Sequence, residues 1–217
     1  MRREGQYGSA VLAPADITEI DDGLWRWTAR HPDWRSGAEA GSASDWPPEV
    51  GGVAYLAADA LLLVDPLVPD GADALWKWLE KRAAERNGTV TVVTTLKWHR
   101  RSRDEVARRL GATTSRALAT LPAGVETIPI RNAGETMVWL PDARTLIPGD
   151  RLIGGDRRGE LRMCPESWLS YLESGITLPE LAEALRPLLE LPVERVLVSH
   201  GKPILRDGRA ALAAALG

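Results

Sequence analysis

The chain has 217 residues, of which 44% are hydrophobic and 26% are charged, so it has the composition of a globular protein and is long enough to bury a sizeable core. A formal net charge of -3 argues against a nucleic acid or an anionic membrane as the main partner, and no apolar stretch approaches the roughly 20 residues of a membrane span. A single cysteine, Cys164, excludes an internal disulfide framework and a cysteine-rich zinc site. We therefore expect a cytoplasmic protein without a signal peptide.

The first third of the chain predicts an irregular segment, a hairpin and a helix. Residues 1–50 include the Gly/Ser/Pro-rich stretch "SGAEAGSASDWPPE", which is typical of a loop. The stretch "GGVAYLAADALLLVDP" predicts two short strands joined at Ala58-Asp59. From Asp70 onward, apolar residues recur at helical spacing as far as Ala83, and Asn87-Gly88 is a suitable end for that helix.

The rest of the chain alternates between predicted strands and helices. "TVTVVTT" predicts a buried strand, and Ser102 with Glu105 fits a capping box at the start of the next helix. "VETIPI", "TMVWL" and "TLIP" predict three more strands. Thr177 and Glu180 form a second capping box, and "RVLVS" and "RAALAAAL" predict a last strand and a closing helix. The order predicts an α/β protein, and we expect a single domain over residues 1–217 with the 1–50 segment packed on it.

Three chemically active side chains share one position in this pattern. His99, Asp150 and His200 each lie at the C-terminal end of a predicted strand. Strand ends bring their side chains to a common edge of an α/β fold, where binding sites are usually found. The sequence therefore predicts a site built from these three residues.

Four stretches, taken in order, resemble the motifs of one family. "VAYLAADALLLVDP" is similar to an opening hairpin that ends in an aspartate, here Asp65, and "TTLKWHRRSRDEVARRLGA" stands where the family carries T-H-x-H-x-D-H and a helix. "RNAGETMVWLPDARTLIPGD" is similar to the stretch with its third histidine and bridging aspartate, and "VLVSHGKP" to its last histidine motif. The family is the metallo-β-lactamase superfamily. The resemblance, from about Leu24 onward, implies a four-layered αββα sandwich.

The resemblance also implies which residues stand at the family's metal-binding positions. His99, Asp150 and His200 match three of the seven positions. The other four positions hold different residue types: Lys97, Arg101, Ser102 and Glu135. Members with the full set bind two zinc ions and use a metal-bound hydroxide to hydrolyse amides, esters, thioesters or phosphodiesters. This chain is therefore expected to lack the dinuclear centre, and its metal motif is degenerate.

Two arrangements of the pocket remain open from the sequence. If Lys97 and Arg101 point inward, their charges oppose a bound cation, Arg101 can pair with Asp150, and the pocket is metal-free. If both point away, His99, Asp150, His200 and Glu135 can together bind one zinc, manganese or iron ion. Ser102 is expected to cap a helix rather than to act as a nucleophile.

Two functions follow from these arrangements, and the sequence leaves open whether the protein is an enzyme. The first is a hydrolase of a small ester, thioester or lactone with at most one metal ion, in which Asp150 orients the attacking water; a metal-free variant uses His99 as the general base. The second is a non-catalytic protein that binds a small anion or acyl metabolite, or has a structural role. Both have a small-molecule partner rather than nucleic acid or a membrane. Trp78 lies one position off its helix's apolar face and is expected to contact a second copy of the chain, as a homodimer, or the N-terminal segment.

Overall fold

The structure, a computed structural model, describes residues 17–115 and 121–217 of the chain. The strands in these residues are β1 (Thr18–Asp21), β2 (Leu24–Arg30), β3 (Glu49–Leu56), β4 (Leu61–Val64), β5 (Val90–Val93), β6 (Thr113–Ser115), β7 (Glu126–Ile130), β8 (Glu135–Leu140), β9 (Thr145–Ile147), β10 (Leu152–Gly154), β11 (Leu161–Met163) and β12 (Arg195–Val196). The α-helices are α1 (Asp73–Ala84), α2 (Arg103–Leu110), α3 (Leu178–Leu185) and α4 (Gly208–Leu216). Two 3-10 helices cover Glu166–Tyr171 and Arg186–Glu190.

The strands form two main sheets and one small ribbon. The first sheet has the order β1-β2-β3-β4-β5-β6, antiparallel from β1 to β4 and parallel from β4 to β6. The second sheet has the order β12-β9-β8-β7, in which only the β12–β9 pair is parallel. Strands β10 and β11 form a separate antiparallel ribbon. The predicted hairpin at residues 51–66 is confirmed as β3 and β4.

Three hydrophobic clusters show that the layers are helix, sheet, sheet and helix. One cluster joins α1 and α2 to the outer face of the first sheet, and another joins α3 and α4 to the outer face of the second sheet. A third cluster contains residues of both sheets, so the two inner faces pack on each other. This arrangement confirms the α/β class and the four-layered αββα sandwich.

Strand β4 shows how the sequence selects this layering. Successive strand residues point to opposite faces, so a strand buried on both faces needs a continuous apolar run. Leu61 and Leu63 belong to the cluster under the helices, whereas Leu62 and Val64 belong to the cluster between the sheets. All four residues are buried. The "LLLV" run is therefore the signature of a strand in the middle of the sandwich.

The two predicted capping boxes have different outcomes. Thr177 caps α3, and Glu180 accepts a reciprocal hydrogen bond from the backbone of Thr177, which confirms the second box. Ser102 occupies the N-cap position of α2, but its side chain makes no capping hydrogen bond. Its hydroxyl instead accepts from the amide of Val68 and donates to the carbonyl of the same residue. The predicted capping box of α2 was wrong because the loop that contains Val68 packs on the start of the helix. Val68 supplies the hydrogen-bond partners of the Ser102 hydroxyl that the first turn of α2 would have provided.

Residues 17–50 are more regular than the sequence predicted. Strands β1 and β2 lie in this range and extend the first sheet, and β2 pairs with β3 along its whole length. Trp78 of α1 packs edge-on against Trp25 of β2, with 5.4 Å between the ring centroids. This is the predicted contact with the N-terminal segment, while the homodimer stays a prediction. Within the described ranges, no helix is both long enough and apolar enough to cross a membrane.

The two sheets are joined by backbone hydrogen bonds at the edge where the predicted site residues lie. The amide of Gly51, in β3, donates to the carbonyl of Ser199, the residue before His200. The amide of Thr136, in β8, donates to the carbonyl of Thr95, just beyond β5. These bonds attach the segment after β12 to the first sheet and the segment after β5 to the second sheet.

Candidate active site

A cavity of about 470 Å³ opens at this edge of the sandwich, a volume typical of small-molecule sites. Four aromatic side chains form much of its wall: Trp46, Trp98, Trp168 and Tyr171. Its polar lining includes five of the predicted site residues: Lys97, His99, Arg101, Asp150 and His200. Glu135 is the predicted site residue that does not line it.

His99 lies in the turn after β5 and is held by a buried carboxylate. Its Nδ1 atom is 2.8 Å from Oδ2 of Asp65, the residue that follows β4. The same carboxylate accepts hydrogen bonds from the amide of Thr95 at 2.8 Å and from its hydroxyl at 2.5 Å. With Nδ1 committed to Asp65, His99 directs its Nε2 atom to the cavity.

Asp150 lies between the two histidines. Its Oδ1 atom is 2.9 Å from Nε2 of His99 and 3.3 Å from Nε2 of His200. Both contacts are at ion-pair distance, but among the described residues the buried Oδ1 atom accepts no hydrogen bond of good geometry. The other oxygen, Oδ2, accepts a hydrogen bond of 2.7 Å from the indole of Trp98.

His200 is enclosed by aromatic rings. Trp46 and Trp168 both meet its ring edge-on, with centroid distances of 5.8 and 5.1 Å. Its Nδ1 atom has no hydrogen-bond partner in the described structure. Burial lowers the pKa of His200 despite the neighbouring Asp150 carboxylate, so the ring is neutral at pH 7.

The protonation of His99 and Asp150 is coupled. Burial lowers the pKa of His99, but the carboxylates of Asp150 and Asp65 outweigh burial and the Arg101 charge and raise it to about 9. Burial would raise the pKa of Asp150, yet the two histidines hold it well below its usual range. Without a bound cation, His99 is therefore an imidazolium between two carboxylates.

Glu135 has a different environment from the other predicted ligands. Its carboxylate accepts hydrogen bonds from three consecutive backbone amides, those of Gly149, Asp150 and Arg151, at 2.8–2.9 Å. Arg151, whose side chain is fully buried, has its Nε atom 3.9 Å from Glu135. Both oxygens of Glu135 thus hold the loop that carries Asp150, and the structure does not bring Glu135 to the pair of histidines.

Arg101 enters the cavity, as the first of the two sequence-based arrangements requires, but it does not pair with Asp150. No Arg101 nitrogen lies within 4.0 Å of an Asp150 oxygen among the described contacts. Nη1 donates instead to the carbonyls of Gly51 and Asp65, and Nη2 donates to the hydroxyl of Ser199 at 2.6 Å. Nη2 also lies 3.5 Å from Nε2 of His99. The guanidinium is drawn to the two carbonyls because they lie at the junction of the sheets, closer than the carboxylate.

Lys97 is at the mouth of the cavity rather than on its floor. Its side chain is exposed, with Nζ 5.8 Å from the centre of the Trp98 ring. The two cations therefore differ in setting, because Arg101 is held by hydrogen bonds inside the cavity and Lys97 is exposed at its mouth.

Trp98 and Arg26 are among the residues of the site that the sequence analysis missed. Trp98 stands between Lys97 and His99, where strand alternation would point it away from them, but the chain turns there and the indole reaches Asp150. Arg26 of β2 is buried, and its guanidinium donates to the carbonyls of Val198 and Gly201 on either side of His200. The one signal for Arg26 is a charged residue between two tryptophans in an apolar strand.

Nε2 of His99 and Nε2 of His200 both lie close to Oδ1 of Asp150. All three residues are buried, and these atoms lie within 4.8 Å of one another. Two imidazoles and one carboxylate are a donor set that suits zinc, manganese or iron. The residues present therefore fit one metal ion.

Comparison with known structures agrees with the observed layering. No protein-family model matches the sequence, and no curated protein matches it at a significant level. Among solved structures, the DIM-1 metallo-β-lactamase matches with a TM-score of 0.60 at 14% identity over 94% of this chain and 99% of its own. A metallo-β-lactamase from Hirschia baltica gives 0.60 at 15% identity, with coverages of 94% and 98%.

A third match is an NDM/FIM-1-like metallo-β-lactamase from Erythrobacter litoralis in its mono-zinc form, with a TM-score of 0.61 at 14% identity and coverages of 94% and 96%. At such low identity the likeness concerns the fold, and each match covers nearly the whole of both chains. The protein therefore has the metallo-β-lactamase fold, in a divergent form.

Proposed function

We propose that this protein is a hydrolase of a small ester, thioester or lactone, and that it binds one zinc ion between His99, Asp150 and His200. The observation that carries the proposal is the convergence of three buried donor atoms, one from each residue, within 4.8 Å at the floor of the cavity. Manganese and iron suit the same donors. The substrate class rests on analogy with other proteins of this fold and is a proposal to that extent.

The spacing of the donor atoms supports one ion. Ligand atoms about 2.0–2.1 Å from a tetrahedral zinc lie roughly 3.3 Å from each other. The distances from Asp150 Oδ1 to the two imidazole nitrogens, 2.9 and 3.3 Å, are close to that value. Asp150 Oδ1 is a buried oxygen without a hydrogen-bond partner, which a cation would satisfy.

A second ion has no such support. Lys97, Arg101 and Ser102 occupy positions where the full motif supplies ligands, and the hydroxyl of Ser102 is committed to Val68. The fixed guanidinium of Arg101, 3.5 Å from His99, would repel another cation. Three protein ligands and an open fourth position are the usual composition of a catalytic zinc site.

The surrounding residues would prepare the site for hydrolysis. Asp65 holds Nδ1 of His99, the carboxylate–histidine pairing that orients a ligating imidazole. Trp98 holds Oδ2 of Asp150 and so turns Oδ1 toward the histidines. Trp46 and Trp168 shield His200 from water. When bound, the ion supplies a water of lowered pKa and polarises the substrate carbonyl.

A second candidate function has its own supporting observation. The carboxylates of Asp65 and Asp150 are balanced by the imidazolium of His99 and the guanidinium of Arg101, so the floor of the cavity is neutral without any metal. On this alternative the protein binds a small anion and catalyses no reaction.

Metal content separates the two functions. The full-length protein, purified without a metal-binding tag and without chelator, is expected to contain about one equivalent of zinc, manganese or iron by mass spectrometry. His200→Ala should lose this metal, whereas His31→Ala, which changes the third histidine of the same cavity, should keep it. Metal-loaded protein should then hydrolyse members of an ester and thioester panel. A content near zero, unchanged after incubation with each metal, would rule out the metal-dependent hydrolase.

A further inference from the structure

The cavity contains two permanent cations without carboxylate partners. No carboxylate oxygen lies within 4.0 Å of Lys97 or Arg101 among the described residues, although exposed arginines elsewhere, such as Arg100 and Arg186, do form ion pairs. Both cations line the same cavity. A positive charge left unpaired in a cavity attracts an anionic group of a ligand.

The acidic residues of the cavity form no direct ion pair with these two cations. Asp150 is committed to the indole of Trp98 and to the two histidines. Asp33 is exposed at the mouth and lies 3.9 Å from His31. Neither Lys97 nor Arg101 is therefore in direct contact with a carboxylate, and both line the cavity that a ligand would enter.

Arg101 is suited to hold a carboxylate in one fixed orientation. Gly51, Asp65 and Ser199 already anchor its two terminal nitrogens, so the guanidinium loses little freedom when a ligand binds. Its Nε atom is buried, whereas one hydrogen of Nη2 lacks an oxygen acceptor, so Nη2 is the donor left for a ligand. A hydrogen bond between a guanidinium N–H and a carboxylate is charge-assisted and therefore stronger than a neutral one.

The walls of the cavity indicate the rest of the ligand. Trp98 is 38% exposed and Tyr171 is 60% exposed, although large aromatic side chains are usually covered in a monomeric protein. They face the same cavity as Trp46 and Trp168. Aromatic rings bind flat apolar groups by stacking and by edge-to-face contact.

We propose that the substrate carries a carboxylate and a planar apolar group, with the carboxylate held by Arg101 and Lys97 and the planar group held between the tryptophans and Tyr171. The substrate is then an aromatic ester, thioester or lactone with a free acid group. This inference rests on the proposed function for the bond that is cleaved, but the binding preference can be measured without it.

Benzoate, benzamide and acetate test the preference for a carboxylate and the preference for a planar apolar group. Their affinities are measured by calorimetry on the full-length protein after chelator treatment. Benzamide keeps the ring without the charge, and acetate keeps the charge without the ring. Benzoate is expected to bind at least about tenfold more tightly than either. If it binds no more tightly than benzamide, the carboxylate site is disproved; if it binds no more tightly than acetate, the aromatic site is disproved.

Variants locate the carboxylate. Arg101→Gln should reduce benzoate affinity to the level of benzamide. Lys97→Gln should reduce benzoate affinity about threefold, because an ion pair between the exposed Lys97 and the carboxylate is weakened by solvent. Lys77→Gln, a surface lysine outside the cavity, is the matched control and should change nothing. Benzamide affinity should be equal in all the variants, which shows that the cavity is intact. Because Lys97 is exposed, its variant remains informative even if Arg101→Gln does not fold.

The outcome is independent of the metal measurement. Benzoate selectivity in a protein that never binds metal would leave this inference standing and remove the hydrolase proposal. A full equivalent of zinc without benzoate selectivity would do the reverse. Benzoate binding that is equal in wild type and Arg101→Gln would contradict the assigned carboxylate position.

Discussion

Trp98 holds one oxygen of the Asp150 carboxylate, and this leaves the other oxygen facing His99 and His200. The indole thus acts on the proposed metal site through Asp150 and is a positioning residue. Groups that orient ligands in this way typically change metal affinity 10–100-fold when they are removed. A role of this kind is not visible in the residue type, because tryptophan is seldom considered for metal sites.

We expect Trp98→Phe to weaken zinc binding by about tenfold, because the ring stays but the N–H that fixes Asp150 is lost. Zinc dissociation constants can be measured by competition with a chromophoric chelator. Trp46→Phe is the matched control, since Trp46 lines the same cavity and contacts His200 but not Asp150. Equal affinity in wild type and Trp98→Phe would show that Asp150 is held by other contacts.

Residue types at strand ends predicted which side chains lie together in the candidate site, and the reason is geometric. His99, Asp150 and His200 each follow a strand, and the fold brings those ends to one edge. The role of Glu135 was harder to predict, because an acidic residue near a ligand position looks the same in sequence whether it faces a metal or a loop. The partners of Arg101 were not predictable at all, since backbone carbonyls carry no sequence signal.

Among the helices and strands, features that depend on nearby residues were predictable, and features that depend on residues distant in the sequence were not. Strand β4 and helix α1 were predictable because burial on both faces, or on one face, leaves a periodic pattern. The capping box of α3 was predictable because both partners lie within one turn. Ser102 was misassigned because its partner, Val68, is distant in sequence. Strand β1, in a range expected to be irregular, depends on pairing with β2 rather than on its own composition.

The loop that carries Asp150 depends on Glu135, at the start of β8. Glu135→Gln replaces one carboxylate oxygen by an NH₂ group, which sets a donor against a buried backbone amide. It also leaves Arg151 as a buried cation with a weaker partner. We expect a loss of about 3 kcal/mol in the free energy of unfolding, measured with urea on chelator-treated protein.

Glu126→Gln is the control for this measurement, because Glu126 is an exposed residue of the same sheet. If Glu135 supports the loop, Glu135→Gln should lower the free energy of unfolding by the same amount with and without zinc. A loss that is present only in zinc-loaded protein would mean that Glu135 is a metal ligand after all, as the sequence suggested.

The capping box of α3 gives a pH dependence whose sign follows from Glu180. Hydrogen bonds from the backbone and hydroxyl of Thr177 lower the pKa of Glu180 below 4.5. A lowered pKa in the folded state contributes stability above pH 4.5, and that stability is lost as the pH falls through the lowered value. We expect wild type to melt at a higher temperature than Glu180→Gln at pH 7, with the difference vanishing in acid.

Glu173→Gln is the reference for the melting experiment, since it removes one exposed acid that caps no helix. Its melting temperature should differ from wild type by less than that of Glu180→Gln at pH 7. A difference between wild type and Glu180→Gln that persists unchanged into acid would exclude the ionised capping box as its source.

At the scale of the whole molecule, the site lies across the junction of the two sheets. The first sheet presents His99 after β5, whereas Asp150 and His200 follow strands of the second sheet. Arg26 of the first sheet binds the carbonyls that flank His200, and Gly51 donates to the carbonyl of Ser199. An ion bound by all three ligands would therefore link the two halves of the sandwich.

Zinc binding should for this reason raise the stability of the whole protein and not only order a loop. A ligand present at 100 times its dissociation constant stabilises the folded state by about 2.7 kcal/mol, which corresponds to an increase of roughly 5–10 °C in melting temperature for a chain of this size. We expect this increase in wild type and in His31→Ala, measured by calorimetry with and without zinc. His99→Ala and His200→Ala, which remove one ligand from each side of the junction, should both lose it. An equal increase in His200→Ala would place the zinc elsewhere, and an increase lost only in His99→Ala would confine the site to the first sheet.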